Sequence, residues 1–357
     1  MRVAIVVGLC GALAAMSAQA QTPLPELAKI IAAAEQEGKV TFRATNTTFA
    51  GPIGARVATD GINRMFGTHL TVDWVPGPAY GPLAAILYQE LQAGQPASTD
   101  VYVGTAAQVS PNLEKGLFRQ VDWPQLMPER IPAAIVEGDG RALRYSGALP
   151  GVLYNVKAAT WAPGIANAAD LLKPELRGQF YTTPFLGGFD VLLATDVWGV
   201  AKTTEYVTKL SGQIAGLAGC EATDRIASGE LPALAIDCSG SGPNRQQYRG
   251  KNVLGNQVIA DMAQLRYGYL AIPVHAPHPN AAILYTLYAL SAEGQEKLAW
   301  ELIGDDLADL PTAHMHEQAE AIRAKGIQPI AVTIAWWRAH PGIDKANAEL
   351  AKLVARQ

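Results

Sequence analysis

Short runs of β-branched and aromatic residues recur along the chain, each followed by a stretch with helical spacing. This alternation restricts the sequence to an α/β architecture. Residues 40–44, 70–75 and 100–103 (VTFRA, LTVDWV and DVYV) read as strands. Between them, 24–34, 53–66 and 83–91 read as helices. In the first of these, Leu24, Leu27, Ile31 and Ala34 recur every three or four residues, Glu35 and Glu37 face outward, and Gly38 ends the run. Strands joined through helices run side by side in the same direction, so a mainly parallel sheet is expected. A turn-rich middle at 145–151 interrupts the pattern. A second α/β series then begins, with strands at 152–154, 179–182, 233–237 and 269–274. Helical spacing returns from 185 through 197, at 281–290 and 293–302, and over the tail from 331 to 354.

The N-terminus has a different character. Met1 and Arg2 give a positive start, Val3 to Met16 is almost unbroken apolar sequence, and Ser17, Ala18, Gln19 and Ala20 supply a small-residue exit. These are the three parts of a secretory signal peptide, here residues 1–20, with cleavage expected before Gln21. The run is shorter than the roughly 20 apolar residues a membrane span needs, and Leu9 stands before Cys10 where a lipoprotein site wants a small residue. The remainder of the 357 residues is more than one compact core usually serves, so two lobes are expected. A net charge of −4 argues against a nucleic-acid partner, which requires a basic face. Of the three cysteines, Cys10 leaves with the leader. Cys220 and Cys238 are then expected to pair in an oxidising compartment, the alternative being two buried free thiols.

Four further stretches carry a resemblance. They are 34–40 (AEQEGKV), 171–179 (LLKPELRGQ), 227–233 (ASGELPA), and 276–282 (APHPNAA) leading into 290–296 (LSAEGQE). In this order and spacing, the chain resembles the extracellular solute-binding proteins that include ferric-ion binders. The resemblance implies a type II periplasmic-binding-protein fold: two α/β lobes, each a mainly parallel sheet flanked by helices, with a ligand cleft between them. Lobe 1 would comprise 21–145 and 260–305, and lobe 2 would comprise 146–259 and 306–357. It also implies a monomer that works with the membrane permease of an ABC importer in the periplasm, with no resident cofactor.

Candidate ligand contacts follow the strands, because in α/β sheets ligands collect beyond the carboxyl ends. In lobe 1 these are Asn46, Thr47 and Thr48 after the first strand, Tyr80 after the second and Thr105 after the third. Ser146 stands at the presumed crossover. In lobe 2, Thr183, Gly187 and Gly188 lie between a strand and an expected helix, where N-terminal N–H groups would favour an anion. The ferric relatives ligate iron with two adjacent tyrosines just beyond the strand after the Gly-Glu-x-Pro stretch. Here that position reads Asp237, Cys238, Ser239, Gly240, Ser241, Gly242, with no tyrosine. Ser239 and Ser241 instead become candidates for lining an organic ligand. His314 and His316, two apart, would face different ways on a helix. The sequence thus favours a solute-binding protein for a small, anionic organic molecule. The alternatives are a binder of iron or another metal with other ligands, and a secreted enzyme. For the last, no G-x-S-x-G, H-E-x-x-H or P-loop pattern is present.

Overall fold

The structure, a computed structural model, describes residues 24–127, 131–248 and 250–355. The expected leader at 1–20 lies outside the described residues. The first helix, Pro25–Glu37, carries Pro25 where its missing N–H costs nothing. It ends at Gly38, whose φ of 71° is left-handed. Leu27, Ile30 and Ala34 form its buried face. Strand β1 (Lys39–Ala44) follows and alternates, with Val40, Phe42 and Ala44 inward. After helix Pro52–Phe66, β2 (Thr71–Pro76) pairs in parallel with β1, Lys39 opposite Thr71.

The larger sheet of this lobe is built from β3 (Tyr102–Thr105), β4 (Val136–Glu137), β5 (Ala142–Ala148), β11 (Gln264–Ala271) and β12 (Ile330–Val332). β11 is its centre, antiparallel to β3 and β5 and parallel to β12. The chain leaves this sheet after β5 and enters the second with β6 (Val152–Asn155). There β7 (Tyr181–Thr182), β8 (Gly216–Leu217), β9 (Ala233–Leu234) and β10 (Leu254–Gln257) complete the order β10-β6-β9-β7-β8. The two-lobed α/β architecture is as the sequence indicated; the β1–β2 sheet is parallel and the two larger sheets are mixed. The pairs β1–β2, β7–β8, β7–β9 and β11–β12 are parallel. Antiparallel pairs arise at β5, β6, β10 and β11, the strands that carry the chain from one sheet to the other.

Two local expectations change. The segment expected to be helical through Val197 forms only a 3-10 turn at Asp190–Leu193, and the α-helix begins later, at Gly199–Ser211. The tail is not helical from its start. Ile330–Val332 is strand β12, and the helices Ile334–Ala339 and Ile343–Val354 follow it. The first of these packs on helix Ala106–Glu114 and the second on Gly199–Ser211, so the tail touches both lobes.

One apolar core lies under β1 and β2 and includes Phe42, Phe49, Tyr145, Tyr285 and Tyr288. Another runs from Leu83 and Tyr102 through Leu265 and Tyr267 into Leu186, Phe189 and Leu192 of the second lobe. Cys220 and Cys238 are disulfide-bonded, with Cα atoms 5.7 Å apart. Among the described residues, no helix is long and apolar enough to cross a membrane.

Candidate functional site

The loop after β1 is held in an unusual shape. Phe49 and Ala50 have φ of 48° and 56° and Gly51 has 58°, three successive residues in the left-handed region. For a phenylalanine this costs about 1–3 kcal/mol, which burial of its ring, worth about 1.5–3 kcal/mol, offsets. The Phe49 ring lies 5.0 Å from Tyr145 and 6.0 Å from Phe42, centroid to centroid. The loop backs so closely on the next helix that a Cβ at Gly54 would sit 1.9 Å from the Phe49 carbonyl oxygen. Pinned in this way, the loop buries Thr48. Its hydroxyl lies 3.0 Å from Thr45 Oγ1 and 3.5 Å from the Tyr80 hydroxyl. Left-handed backbone recurs at Leu186 (50°) and Ile236 (52°), the loops after β7 and β9. The strained residues therefore gather at strand ends.

The loop after β9 carries the second half of the site. Asp237 accepts the Gly240 N–H at 2.8 and 2.9 Å and the Gly151 N–H at 3.4 Å, while its own N–H donates to the Gly151 carbonyl at 2.9 Å. These bonds fasten the loop to the segment that joins the lobes. Gly240 is required there, since a Cβ would lie 2.3 Å from the Leu149 carbonyl oxygen. Burial pushes the Asp237 carboxyl up to about 6, against the pull of the Gly240, Gly151 and Ser239 N–H groups. Beyond it, the Ser239 and Ser241 hydroxyls lie 2.7 Å apart.

Asp305 joins the halves. It follows Gly304, whose φ of 75° ends the short helix Glu301–Ile303. Gly304 lies so close to helix Gly242–Tyr248 that an added Cβ would be 3.0 Å from Ser241 O and 3.1 Å from Arg245 Cγ. The Asp305 carboxyl lies beside Ser239 and in the electrostatic range of Tyr80 and Tyr145 on one side and of Arg245 and Asp237 on the other. Its Oδ1 is buried with no hydrogen-bond partner. Burial raises its pKa well above the carboxylate range. Arg245 opposes the rise, and Asp237 and Asp306 add to it. Tyr80 and Tyr145 are likewise raised, chiefly by burial, so both are neutral hydroxyls. The Ser146 hydroxyl lies beside that of Tyr145.

Of the residues singled out from sequence, Thr48, Tyr80, Ser146, Ser239 and Ser241 belong to this cluster. Asn46 and Thr47 are exposed at its edge. The others have their polar groups engaged elsewhere. The Thr105 hydroxyl donates to Gln108 Oε1 at 2.7 Å. Thr183 Oγ1 accepts the Gly187 N–H at 2.9 Å, and the Gly188 carbonyl accepts from Gln264 Nε2 at 2.8 Å. A Cβ on Gly188 (φ 86°) would lie 2.2 Å from Ile236 Cγ2, so this glycine serves packing. With no α-helix starting there, the expected N-terminal anion cradle is not formed. Tyr145, Arg245 and Asp305 were not anticipated. Tyr145 could have been noticed beside Ser146, but no local pattern marks the other two.

The histidines each have a partner: His278 Nδ1 lies 2.8 Å from Asp100, His314 Nδ1 lies 2.9 Å from Asp306, and the Nδ1 atoms of His275 and His316 lie near the carbonyls of Gln95 and Ala308. Among the described residues, no group of three or more His, Cys, Asp or Glu side chains is arranged to hold a metal ion.

Known structures share this two-lobed fold. Trichodesmium FutA (IdiA), in complex with iron and citrate, aligns with a TM-score of 0.60 at 17% identity, over 89% of this chain and 99% of that one. AgtB of A. tumefaciens R10, in complex with agropinic acid, gives 0.66 at 16% identity, over 89% and 99%. AfuA of Actinobacillus pleuropneumoniae, with bound fructose-6-phosphate, gives 0.63 at 18% identity, over 89% and 97%. No family model matches the sequence, and no curated protein matches it. The chain thus has a type II periplasmic-binding-protein fold.

Proposed function

We propose that this chain is an exported, periplasmic solute-binding subunit of an ABC importer. It captures a small organic molecule between its lobes as a monomer, delivers it to a membrane permease, and carries out no chemistry. The observation that carries this reading is the meeting of the two halves at Asp305: Thr48 and Tyr80 come from the first lobe, and Ser239, Ser241 and Arg245 from the second. Closure around a ligand is the signal such a clamp transmits. The fold neighbours that hold iron with citrate, agropinic acid and fructose-6-phosphate are consistent with a cleft that admits organic molecules. The anion expected at Gly187 and Gly188 loses its basis, because the Gly187 N–H is already bonded to Thr183. The charge of the solute follows instead from the interlobe cluster.

A thermal-shift screen of the purified protein tests capture. Carboxylates, phosphorylated compounds, amino acids, sugars and metal ions form the panel. A ligand at a hundredfold excess over its Kd stabilises by about 2.7 kcal/mol, so one class is expected to raise Tm by several degrees. A flat response to every class would contradict the proposal.

A further inference from the structure

Asp305 and Arg245 stand out in the interlobe cluster because, among the described residues, neither side chain is in an ion pair. Asp305 Oδ1 is buried and accepts no hydrogen bond. Arg245, on helix Gly242–Tyr248, lies close enough to act electrostatically on both Asp305 and Asp237, yet among the described residues its guanidinium forms no hydrogen bond or ion pair. The contrast with other acidic groups is sharp. Asp237 has three N–H interactions, Asp306 has two N–H groups and His314, and Asp190 has Arg266. A buried polar atom left without a partner is costly, and here the carboxyl of Asp305, kept uncharged by burial until a cation approaches, and the half-buried guanidinium of Arg245 occur together where two lobes meet. An anion alone would face Asp305 and Asp237 together. A cation alone would face Arg245. A molecule carrying one charge of each sign satisfies both groups through charge-assisted hydrogen bonds, roughly twice as strong as neutral ones. The hydroxyls of Thr48, Tyr80, Ser239 and Ser241 remain to bond its neutral parts.

We infer that the captured solute is a small zwitterion, an amino-acid-like molecule whose ammonium group bonds Asp305 and whose acidic group bonds Arg245. This rests on the capture function proposed above and names the solute class for the same site. Calorimetric titration tests it with three sets of probes. The zwitterions are the twenty common amino acids and γ-aminobutyrate. The analogues lacking one charge are glutarate and butylamine. The third set is glucose and ferric citrate. At least one zwitterion is expected to bind, and to bind more tightly than glutarate and butylamine. Asp305→Asn should weaken that zwitterion about ten- to hundredfold and shrink its advantage over glutarate. Arg245→Gln should shrink its advantage over butylamine. Tighter binding of glucose, glutarate or ferric citrate than of any zwitterion would overturn the inference while leaving capture intact. So would variants that lose thermal stability with affinities unchanged, since the two charges would then serve only each other. Silence from every probe would sink the capture function, and the inference with it.

Discussion

Asp237 illustrates how a single residue fixes the geometry of the site without needing to touch a solute. Its backbone and carboxyl tie the β9 loop to Gly151, and Ser239 and Ser241 are thereby placed opposite Asp305. The same burial makes the residue a source of pH dependence. Its pKa in the folded protein is about 6, above its ordinary value of 3.8. For an acid shifted upward, the stabilising contribution is fully present below the unfolded value and is lost as pH rises through the folded one. The wild-type protein should therefore lose about 3 kcal/mol from this group between about pH 4 and pH 7. Asp237→Asn, which keeps an acceptor but no charge, should not lose that contribution. Urea midpoints measured across this range check the difference, and identical pH slopes for the two proteins would count against it. Gly188 makes the opposite point. Its position after a strand suits the close approach of a ligand, but the space beside it is filled by Ile236.

At the scale of elements, the disulfide is the tie that matters most for the site. Cys238 lies between Asp237 and Ser239, and its bond to Cys220 fastens the β9 loop to the segment that leads into helix Thr223–Ala227. Closing a loop with a sequence separation of 18 contributes about 3 kcal/mol in the chain-entropy model. Replacing both cysteines by serine should lower unfolding stability by about that amount and also weaken solute binding, because the loop then samples other positions. An unfolding curve unchanged by the double replacement would refute the first part, and an unchanged Kd the second. Much of this level was legible in the sequence. The strands at 40–44 and 70–75 and the helix ending at Gly38 follow from periodicity and capping, which are local. β12 was hidden because a three-residue run, Ile330–Val332, becomes a strand only through its pairing with β11. Thr48, Tyr80, Ser239 and Ser241 were legible because they follow strands. Asp305 and Arg245 were not, because the fold alone brings together a loop residue and a helix residue distant in sequence.

Across the whole molecule, the strained loops after β1 and β9, the interlobe helix contact at Gly304 and the side chains of Asp305 and Arg245 meet at one place. In the proposed capture role, the two α/β bodies would hold hydroxyls and charges apart when open and bring them around a solute when closed. Such motion is a rigid-body closure about the connecting segments, and a ligand drives it only through contacts made better in the closed state. Exposed positions on the two lobes can report the movement. Ile53, 54% exposed, follows the β1 loop, and Phe185, 48% exposed, follows β7. Spin labels on Ile53→Cys and Phe185→Cys, with the native disulfide intact, give the distance between lobes directly. Adding the solute that most stabilises the protein should shift the distance distribution to a single, shorter and narrower peak. A distribution unchanged by a solute that clearly raises Tm would contradict a clamp that closes on its ligand.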